Sequence, residues 1–141
     1  MTSIGNPLRL RSGHTLENRI AKAAMSERLA ERGGVPGRAL LSLYERWATG
    51  GAGMLLTGNV MVDRNAIAES GNVVLEDERA LPAFREWAAV AGAQGSAVCM
   101  QINHPGRQVP ITLSKRPVAP SAVKMRAGGL FAMPRPLLPR E

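Results

Sequence analysis

The order of the predicted elements indicates an α/β protein with a parallel sheet. Three strands of apolar or small residues alternate with two amphipathic helices, in the order strand, helix, strand, helix, strand. Each step from one strand to the next takes roughly thirty to forty residues, the length that a βαβ unit needs. Such connections make the strands parallel and place the helices outside the sheet. The 141 residues, 45% of them hydrophobic, are enough for one domain with a modest core.

The first part of the chain contains a short hairpin, a weak strand and a helix. Ser12-Gly13 separates two short extended stretches, which predicts the hairpin. The strand over about 20–24 has weak propensity because alanine is a poor strand former. The helix over 38–49 carries apolar residues at i, i+3, i+4 and i+7, and Gly50-Gly51 ends it. The residues of that apolar stripe are Leu40, Leu43, Tyr44 and Trp47.

A second strand and a long polar connection follow this helix. The strand over 52–57 is almost entirely apolar, which is typical of a strand covered on both faces, and it ends on Gly58-Asn59. The connection over 63–78 is polar and contains a short strand over 72–75.

The last predicted elements are a helix and a third buried strand. The helix covers 81–93, and Pro82 suits its first turn. The strand covers 96–102, and we expect Cys99 within it to be a small buried hydrophobic residue. From residue 108 onward no periodicity predicts a further helix or strand.

Small or polar residues lie at the carboxyl ends of all three main strands: Met25-Ser26, Gly58-Asn59 and Gln101. The carboxyl ends of parallel strands lie at one edge of a sheet, where α/β proteins bind ligands. The Gln101 amide offers one acceptor and two donors in a plane, which suits the edge of a flat heteroaromatic ring. The alternative is that this amide only satisfies neighbouring backbone. The convergence of three strand ends favours the ligand-binding interpretation.

Several classes of site are absent from the sequence. It has no Gly-rich phosphate loop, no H-E-x-x-H and no ligand cluster with metal spacing, and one cysteine excludes an internal disulfide. Ser26 has no evident histidine partner, so we expect its hydroxyl to donate to a ligand carbonyl and not to act as a nucleophile.

The N-terminus lacks an apolar leader region and no segment is long enough for a membrane span, which predicts a cytoplasmic protein.

Other titratable residues have structural interpretations. His104 precedes Pro-Gly, and we expect it to hold its loop through backbone hydrogen bonds. The acids Glu76, Asp77 and Glu78 are expected to favour the N-terminal dipole of the next helix. Arg107 either faces an anionic ligand or pairs with a carboxylate, and both roles stay open.

Most of the net charge of +7 comes from the C-terminal part of the chain. Residues 107–141 carry seven basic side chains and one acidic side chain. This Gly- and Pro-rich segment lacks the interleaved aromatic residues of a base-stacking surface. We therefore expect its acidic partners in chain outside this sequence. The alternative function is a small basic α/β binding or assembly module that contacts nucleic acid or an acidic partner through residues 107–141.

Four stretches, taken together, resemble the N-terminal part of the Old Yellow Enzyme family, the FMN-dependent NADH:flavin oxidoreductases. They occur in family order and cover most of residues 6–122. The stretches are L-E-N-R-I-A-K-A-A-M-S (16–26), G-G-A-G-M-L-L-T-G-N-V-M-V-D (50–63), V-A-G-A-Q-G-S-A-V-C-M-Q-I-N-H-P-G-R-Q (90–108) and V-A-P-S-A (118–122).

The resemblance implies a TIM-type (β/α)8 barrel with FMN across the C-terminal ends of the strands. Ser26 stands where family members have Thr or Cys, near the flavin C4 carbonyl. Gln101 matches the glutamine that hydrogen-bonds the pyrimidine edge of the ring. Ala24 replaces a common proline, and Asn59 is larger than the usual residue at its position. The cofactor-binding residues implied are Ala23, Ala24, Met25, Ser26, Gly58, Asn59 and Gln101.

The resemblance also implies that this chain contains no catalytic residue. The His/His or His/Asn pair that grips the substrate, the tyrosine proton donor and the FMN phosphate loops would lie beyond residue 141. We expect residues 1–107 to form the hairpin and the first three strands with two helices, and residues 108–141 to be loop or partly disordered. The rest of the barrel would be absent, and the fragment alone inactive.

The implied complete enzyme takes hydride from NADH or NADPH onto FMN and reduces activated alkenes such as α,β-unsaturated carbonyl compounds. Its partners would be small molecules, with no nucleic acid and no membrane. A third hypothesis is that the open half-barrel completes itself by pairing with a second copy as a homo-oligomer.

Overall fold

The structure, a computed structural model, describes residues 3–139. Two helices and four parallel strands form its main body, and two short two-stranded sheets flank it. The elements are β1 (Leu8–Arg9), β2 (Thr15–Leu16), β3 (Ala21–Lys22), α1 (Arg38–Thr49), β4 (Met54–Met61), β5 (Val73–Val74), α2 (Leu81–Gly92), β6 (Ala97–Asn103), a 3-10 helix (Gly106–Gln108), β7 (Val118–Ala119) and β8 (Arg135–Pro136).

The central sheet is built around β4, and all of its pairings are parallel. The first half of β4 pairs with β3, its second half pairs with β5, and β6 lies along the other edge. This arrangement confirms the predicted α/β class with a parallel sheet. The predicted hairpin is also present, because β1 and β2 pair antiparallel around Ser12-Gly13.

Both helices pack on one face of the sheet and bury their apolar stripes there. Tyr44 lies at the centre of this core, with its ring edge-on to Trp47 at 5.0 Å and to Trp87 at 5.1 Å. Aromatic pairs prefer this edge-to-face geometry because the ring face is negative and the ring edge positive. The buried core residues are Leu40, Tyr44, Ala48, Leu55, Val60, Val73, Phe84, Trp87 and Ala91.

β4 and β6 extend further than their sequence patterns predict. β4 continues to Met61, so Gly58 and Asn59 lie inside the strand and not after it. β6 continues to Asn103, which places Gln101 two residues before the strand end. Within this longer pairing β4 contains a β-bulge, where the register with β6 shifts between Leu56 and Asn59. An extra residue of this kind depends on the partner strand and has no signature in local hydrophobic periodicity.

The prediction that β6 is buried is wrong, as is the prediction for Cys99. Cys99 is exposed, and Val98 and Ile102 retain 38% and 66% of their accessible surface. Within residues 3–139, β6 pairs only with β4, so its outer edge and most of its side chains stay uncovered. Met100 is the β6 residue that packs against the helix-facing core.

The segment 108–139 has little regular structure. An isolated bridge joins Pro110 to Phe131, and β7 pairs with β8 in parallel. Val109 and Ala119 are buried. No helix within residues 3–139 has both the length and the apolar character to cross a membrane.

Candidate functional site

The structure brings the predicted cofactor-contacting residues to the carboxyl-terminal edge of the central sheet. Asn59 and Gln101 are register partners on β4 and β6, and both lie on the face opposite the helices, because Val60 and Met100 next to them pack against the helix-facing core. Gly58 lies against the loop after β3: a Cβ added there would be 2.2 Å from the Met25 carbonyl oxygen. Ala23 to Ser26 occupy that loop, so all seven residues share one edge.

Gln101 presents an exposed amide at this edge. Its backbone N–H donates to Thr57 Oγ1 at 2.9 Å, and the Thr57 hydroxyl donates to the Gly58 carbonyl at 2.8 Å. Thr57 therefore spans the bulge and fixes the backbone of Gln101. Among residues 3–139, the Gln101 side chain makes no hydrogen bond to neighbouring backbone.

Asn59 is oriented by a neighbour that sequence reasoning did not assign to it. The Asn103 side chain donates from Nδ2 to Asn59 Oδ1 at 2.7 Å. Asn103 and Asn59 lie on the same face of adjacent strands, because Asn103 is the register partner of Met61. The Asn59 side-chain oxygen therefore accepts a hydrogen bond from Asn103, and the Asn59 amide hydrogens are not used in this bond.

A buried carboxylate, Glu27, attaches the loop after β3 to the bulge of β4. Its Oε1 accepts from the Tyr44 hydroxyl at 2.6 Å and from the Gly58 N–H at 3.0 Å. Lys22 Nζ lies 3.6 Å from the same oxygen, and the two side chains are only 7% and 10% exposed for Glu27 and Lys22. The loop is therefore tied to both the sheet and helix α1.

The ammonium of Lys22 has further partners on the helix side of the sheet. Nζ donates to the Leu56 carbonyl at 2.8 Å and lies 4.1 Å from the centre of the Trp47 ring. A cation over an indole face is attracted by the ring quadrupole. Burial lowers the pKa of Lys22, and the carboxylate of Glu27 opposes that shift.

The Tyr44 hydroxyl acts as a donor throughout the physiological pH range. Burial raises the pKa of Tyr44 well above its ordinary value, and the hydrogen bond to Glu27 raises it further. The protonated phenol is thus the form that the Glu27 carboxylate selects.

A second carboxylate, Glu69, contacts the outer side of the same loop. The Ser26 hydroxyl donates to Glu69 Oε2, and Asn72 Nδ2 donates to Ser26 Oγ at 3.2 Å. The Glu69 N–H in turn donates to Asn72 Oδ1 at 2.7 Å. We expected Ser26 to donate to a ligand carbonyl, but its hydrogen goes to Glu69.

Two other predictions concern titratable residues. His104 Nδ1 accepts from the Gly106 N–H at 3.1 Å, which confirms that this histidine holds its loop. The acids before α2 lie outside the helix, which begins at Leu81 with no acid in its first turn, and their contribution to its dipole stays a prediction. Glu76 pairs with Arg64.

The neighbouring acid, Asp77, pairs with an arginine of the same turn. Arg79 Nη2 lies 2.5 Å from Asp77 Oδ2, and Arg79 Nε donates to the same oxygen at 2.8 Å. These hydrogen bonds lower the pKa of Asp77 to about 2. A cavity of about 430 Å3 adjoins this charged cluster, and none of the seven predicted residues lines it.

Sequence reasoning missed the groups that position the edge. The sequence analysis assigned no role to Lys22, in the weak predicted strand, or to Glu27 after it, and it placed Glu69 and Asn72 in a polar connection. The one available signal was Lys22, a long charged side chain inside a strand of alanines. Its partner, Glu27, becomes visible only when the loop folds back onto β4.

Relatives of this chain are known from sequence. The profile of the NADH:flavin oxidoreductase / NADH oxidase family matches residues 3–135. An NADH-dependent flavin oxidoreductase of Neonectria sp. (strain DH2) is 41% identical over 138 residues, covering 91% of this chain and 18% of the relative. One of Hypocrea jecorina (strain QM6a) is 38% identical over 132 residues, covering 86% and 33%. The chain thus spans a third or less of these relatives.

Solved structures show the same fold. A morphinone reductase in complex with tetrahydroNAD superposes with a TM-score of 0.84 at 22% identity, over 99% of this chain and 42% of that chain. The Old Yellow Enzyme homologue from Zymomonas mobilis superposes with a TM-score of 0.83 at 23% identity, over 99% and 41%. The fold is therefore the N-terminal part of a TIM barrel, as predicted. Together with the match over residues 3–135, this means that the chain belongs to the NADH:flavin oxidoreductase / NADH oxidase family.

Proposed function

We propose that the protein containing this chain is an FMN-dependent NAD(P)H oxidoreductase that reduces activated alkenes such as α,β-unsaturated carbonyl compounds. The observation that carries the proposal is the exposed Gln101 amide, next to Asn59, on the ligand-binding edge of a partial barrel. The family match and the NADH-dependent names of the relatives support the choice of cofactor and reductant.

The residues at this edge fit the pyrimidine side of a flavin. Gln101 supplies a planar set of donors and one acceptor, which matches ring C=O and N–H groups. Ala23 and Ala24 are small, and Ala23 is exposed, so a flat ring can approach the loop backbone. FMN, when bound, supplies a hydride acceptor and donor at its N5 atom.

These residues orient the ring and do not hold it alone. One hydrogen bond contributes about 0.5–1.5 kcal/mol net. No Gly-rich phosphate loop occurs in the 141 residues, so the phosphate of FMN would be bound by other chain. The same holds for the groups that grip and protonate the substrate.

Titrating the full-length protein with FMN tests the proposal. We expect a flavin absorption band at roughly 450 nm, and consumption of NADH or NADPH that depends on an unsaturated carbonyl compound. Gln101→Leu keeps the size of the side chain and removes its hydrogen bonds, so FMN affinity should fall about two- to tenfold. Gln94→Leu, at an exposed position between α2 and β6, is the matched control.

Two results would contradict the proposal. A full-length protein that takes up no FMN excludes the function. Equal FMN affinity of the Gln101 and Gln94 variants would show that the edge identified here is not where the pyrimidine ring binds.

A further inference from the structure

We propose that Glu69 is a positioning residue for the flavin: it takes the hydroxyl hydrogen of Ser26 away from the cofactor and thereby sets the redox potential of bound FMN. This inference rests on the proposed FMN site. Nothing in the sequence singled out Glu69, which lies in the polar connection after β4. Glu69 contacts Ser26, and the resemblance implies that Ser26 lies beside the flavin, so only the Ser26 side chain would separate this carboxylate from the ring.

The hydrogen-bonding capacity of Ser26 is nearly exhausted by this cluster. A hydroxyl has one donor hydrogen and two acceptor lone pairs. The hydrogen goes to Glu69, and one lone pair accepts from Asn72 Nδ2 at 3.2 Å. One lone pair is left to face a ligand, so Ser26 meets the ring as an acceptor and not as a donor.

The geometry of the cluster is fixed by its surroundings. Asn72 is 4% exposed, and its Oδ1 accepts from the Glu69 N–H at 2.7 Å. The Ala30 N–H donates to the Gly71 carbonyl at 3.1 Å, which ties this segment to the loop after β3. A Cβ on Gly71 would be 2.5 Å from the Arg28 carbonyl oxygen, so the two segments are in direct backbone contact.

The charge of Glu69 is not neutralised by an ion pair within residues 3–139. Arg28, the nearest cation along the loop, instead donates from Nε to the Ser70 carbonyl at 3.2 Å. A negative charge near the ring disfavours the addition of electrons. A Ser26 hydroxyl directed at a ring carbonyl would favour it, because a hydrogen bond stabilises the negative charge that reduction brings.

Removing the Glu69 carboxylate therefore raises the potential in two ways, through lost charge and through the released hydroxyl. A double-mutant cycle separates them, because only the second requires Ser26. Glu69→Gln removes the charge but keeps an acceptor for the hydroxyl. Glu69→Ala removes both the charge and the acceptor.

The experiment measures the midpoint potential of FMN bound to the full-length protein, in wild type, Ser26→Ala, both Glu69 variants and the double variants. Glu69→Ala should raise the ratio of reduced to oxidised flavin at fixed potential in both backgrounds. The rise should be about two- to tenfold larger when Ser26 is present than in the Ser26→Ala background. For a two-electron couple, tenfold corresponds to about 30 mV. Glu69→Gln should give similar shifts in both backgrounds. Glu45→Gln, on the exposed face of α1, should give none.

Equal shifts for Glu69→Ala in the two backgrounds, or no shift, would overturn the inference while the flavin band keeps the proposed function intact. Wild-type protein without bound flavin would overturn both. If Glu69→Ala does not retain flavin, Glu69→Asp replaces it in the cycle under the same criteria, because the shorter side chain withdraws from Ser26 and keeps its charge.

Discussion

The replacement of Glu27 by alanine should destabilise the protein more than any substitution of an exposed residue on helix α1 or in the loop after β3. The carboxylate accepts hydrogen bonds from Tyr44 and the Gly58 N–H, and it is the ion-pair partner of Lys22. Its loss leaves a buried ammonium without a counter-charge and two donors without an acceptor. Breaking a buried pair in this way typically costs about 3–5 kcal/mol.

Urea unfolding of the full-length protein measures this effect. Glu45→Ala, an exposed acid on α1, is the matched control and should change the free energy of unfolding by less than about 0.5 kcal/mol. Glu27→Gln keeps the two hydrogen-bond acceptor functions and removes the charge, so its cost should lie between the two. Combining Glu27→Gln with Lys22→Met should recover stability, because a buried pair can be replaced by apolar packing at little cost.

The reasoning is refuted if Glu27→Ala costs less than about 1 kcal/mol, since the net worth of a single neutral hydrogen bond is already of that size. It is also refuted if the double variant is less stable than Glu27→Gln alone. That result would mean that Lys22 is stabilised by Trp47 and the Leu56 carbonyl and not by the carboxylate.

Three further outcomes are expected. Gly58→Ala should cost about 1–3 kcal/mol of unfolding free energy and weaken FMN binding, because its Cβ would be 2.2 Å from the Met25 carbonyl oxygen. Gly92→Ala is the control and should not weaken FMN binding, because its Cβ would be 3.9 Å from the nearest atom, in the Val98 side chain. The pKa of Asp77 is lowered from 3.8 to about 2, so its contribution to stability is present above pH 3.8 and is lost as the pH falls toward 2. The difference in unfolding free energy between wild type and Asp77→Asn should therefore shrink over that pH range. A difference in urea midpoint that stays constant over this range would contradict the prediction. The 141 residues alone should bind FMN weakly and catalyse no turnover; stoichiometric binding in a flavin titration would show that no further phosphate site is needed.

The parts of the fold that follow from local pattern were predictable from the sequence. Helix α1 has the predicted bounds, because its apolar stripe and the glycine pair after it are both local signals. The bulge in β4 was not predictable, since an extra residue is defined only relative to the register of β6. The burial of β6 was wrongly predicted for a related reason: an apolar strand indicates that something covers it, but not that the covering chain lies within residues 3–139.

The candidate site divides in the same way. Gln101 and Gly58 were identified as candidates because the sequence alone shows a polar or small residue after an apolar run. Glu27 and Glu69 were not, because a carboxylate in a polar stretch looks solvated until its partners, 17 residues away for Tyr44 and 43 for Ser26, are known. Burial of a polar group is a property of the fold, and periodicity carries no information about it.

Two carboxylates, Glu27 and Glu69, restrain the loop after β3, in which Ala24 replaces a proline of the family pattern. Ala24 stands where the resemblance implies a proline, which would fix the backbone before folding by restricting φ. Here Ser26 and Glu27 are consecutive and face opposite sides, one bonded to Glu69 at the outer edge and the other to Tyr44 at the helix side. Opposed anchors on adjacent residues leave the intervening peptide little freedom to rotate. Side-chain hydrogen bonds at Ser26 and Glu27 therefore restrain the loop two to three residues after the position where the resemblance implies a proline.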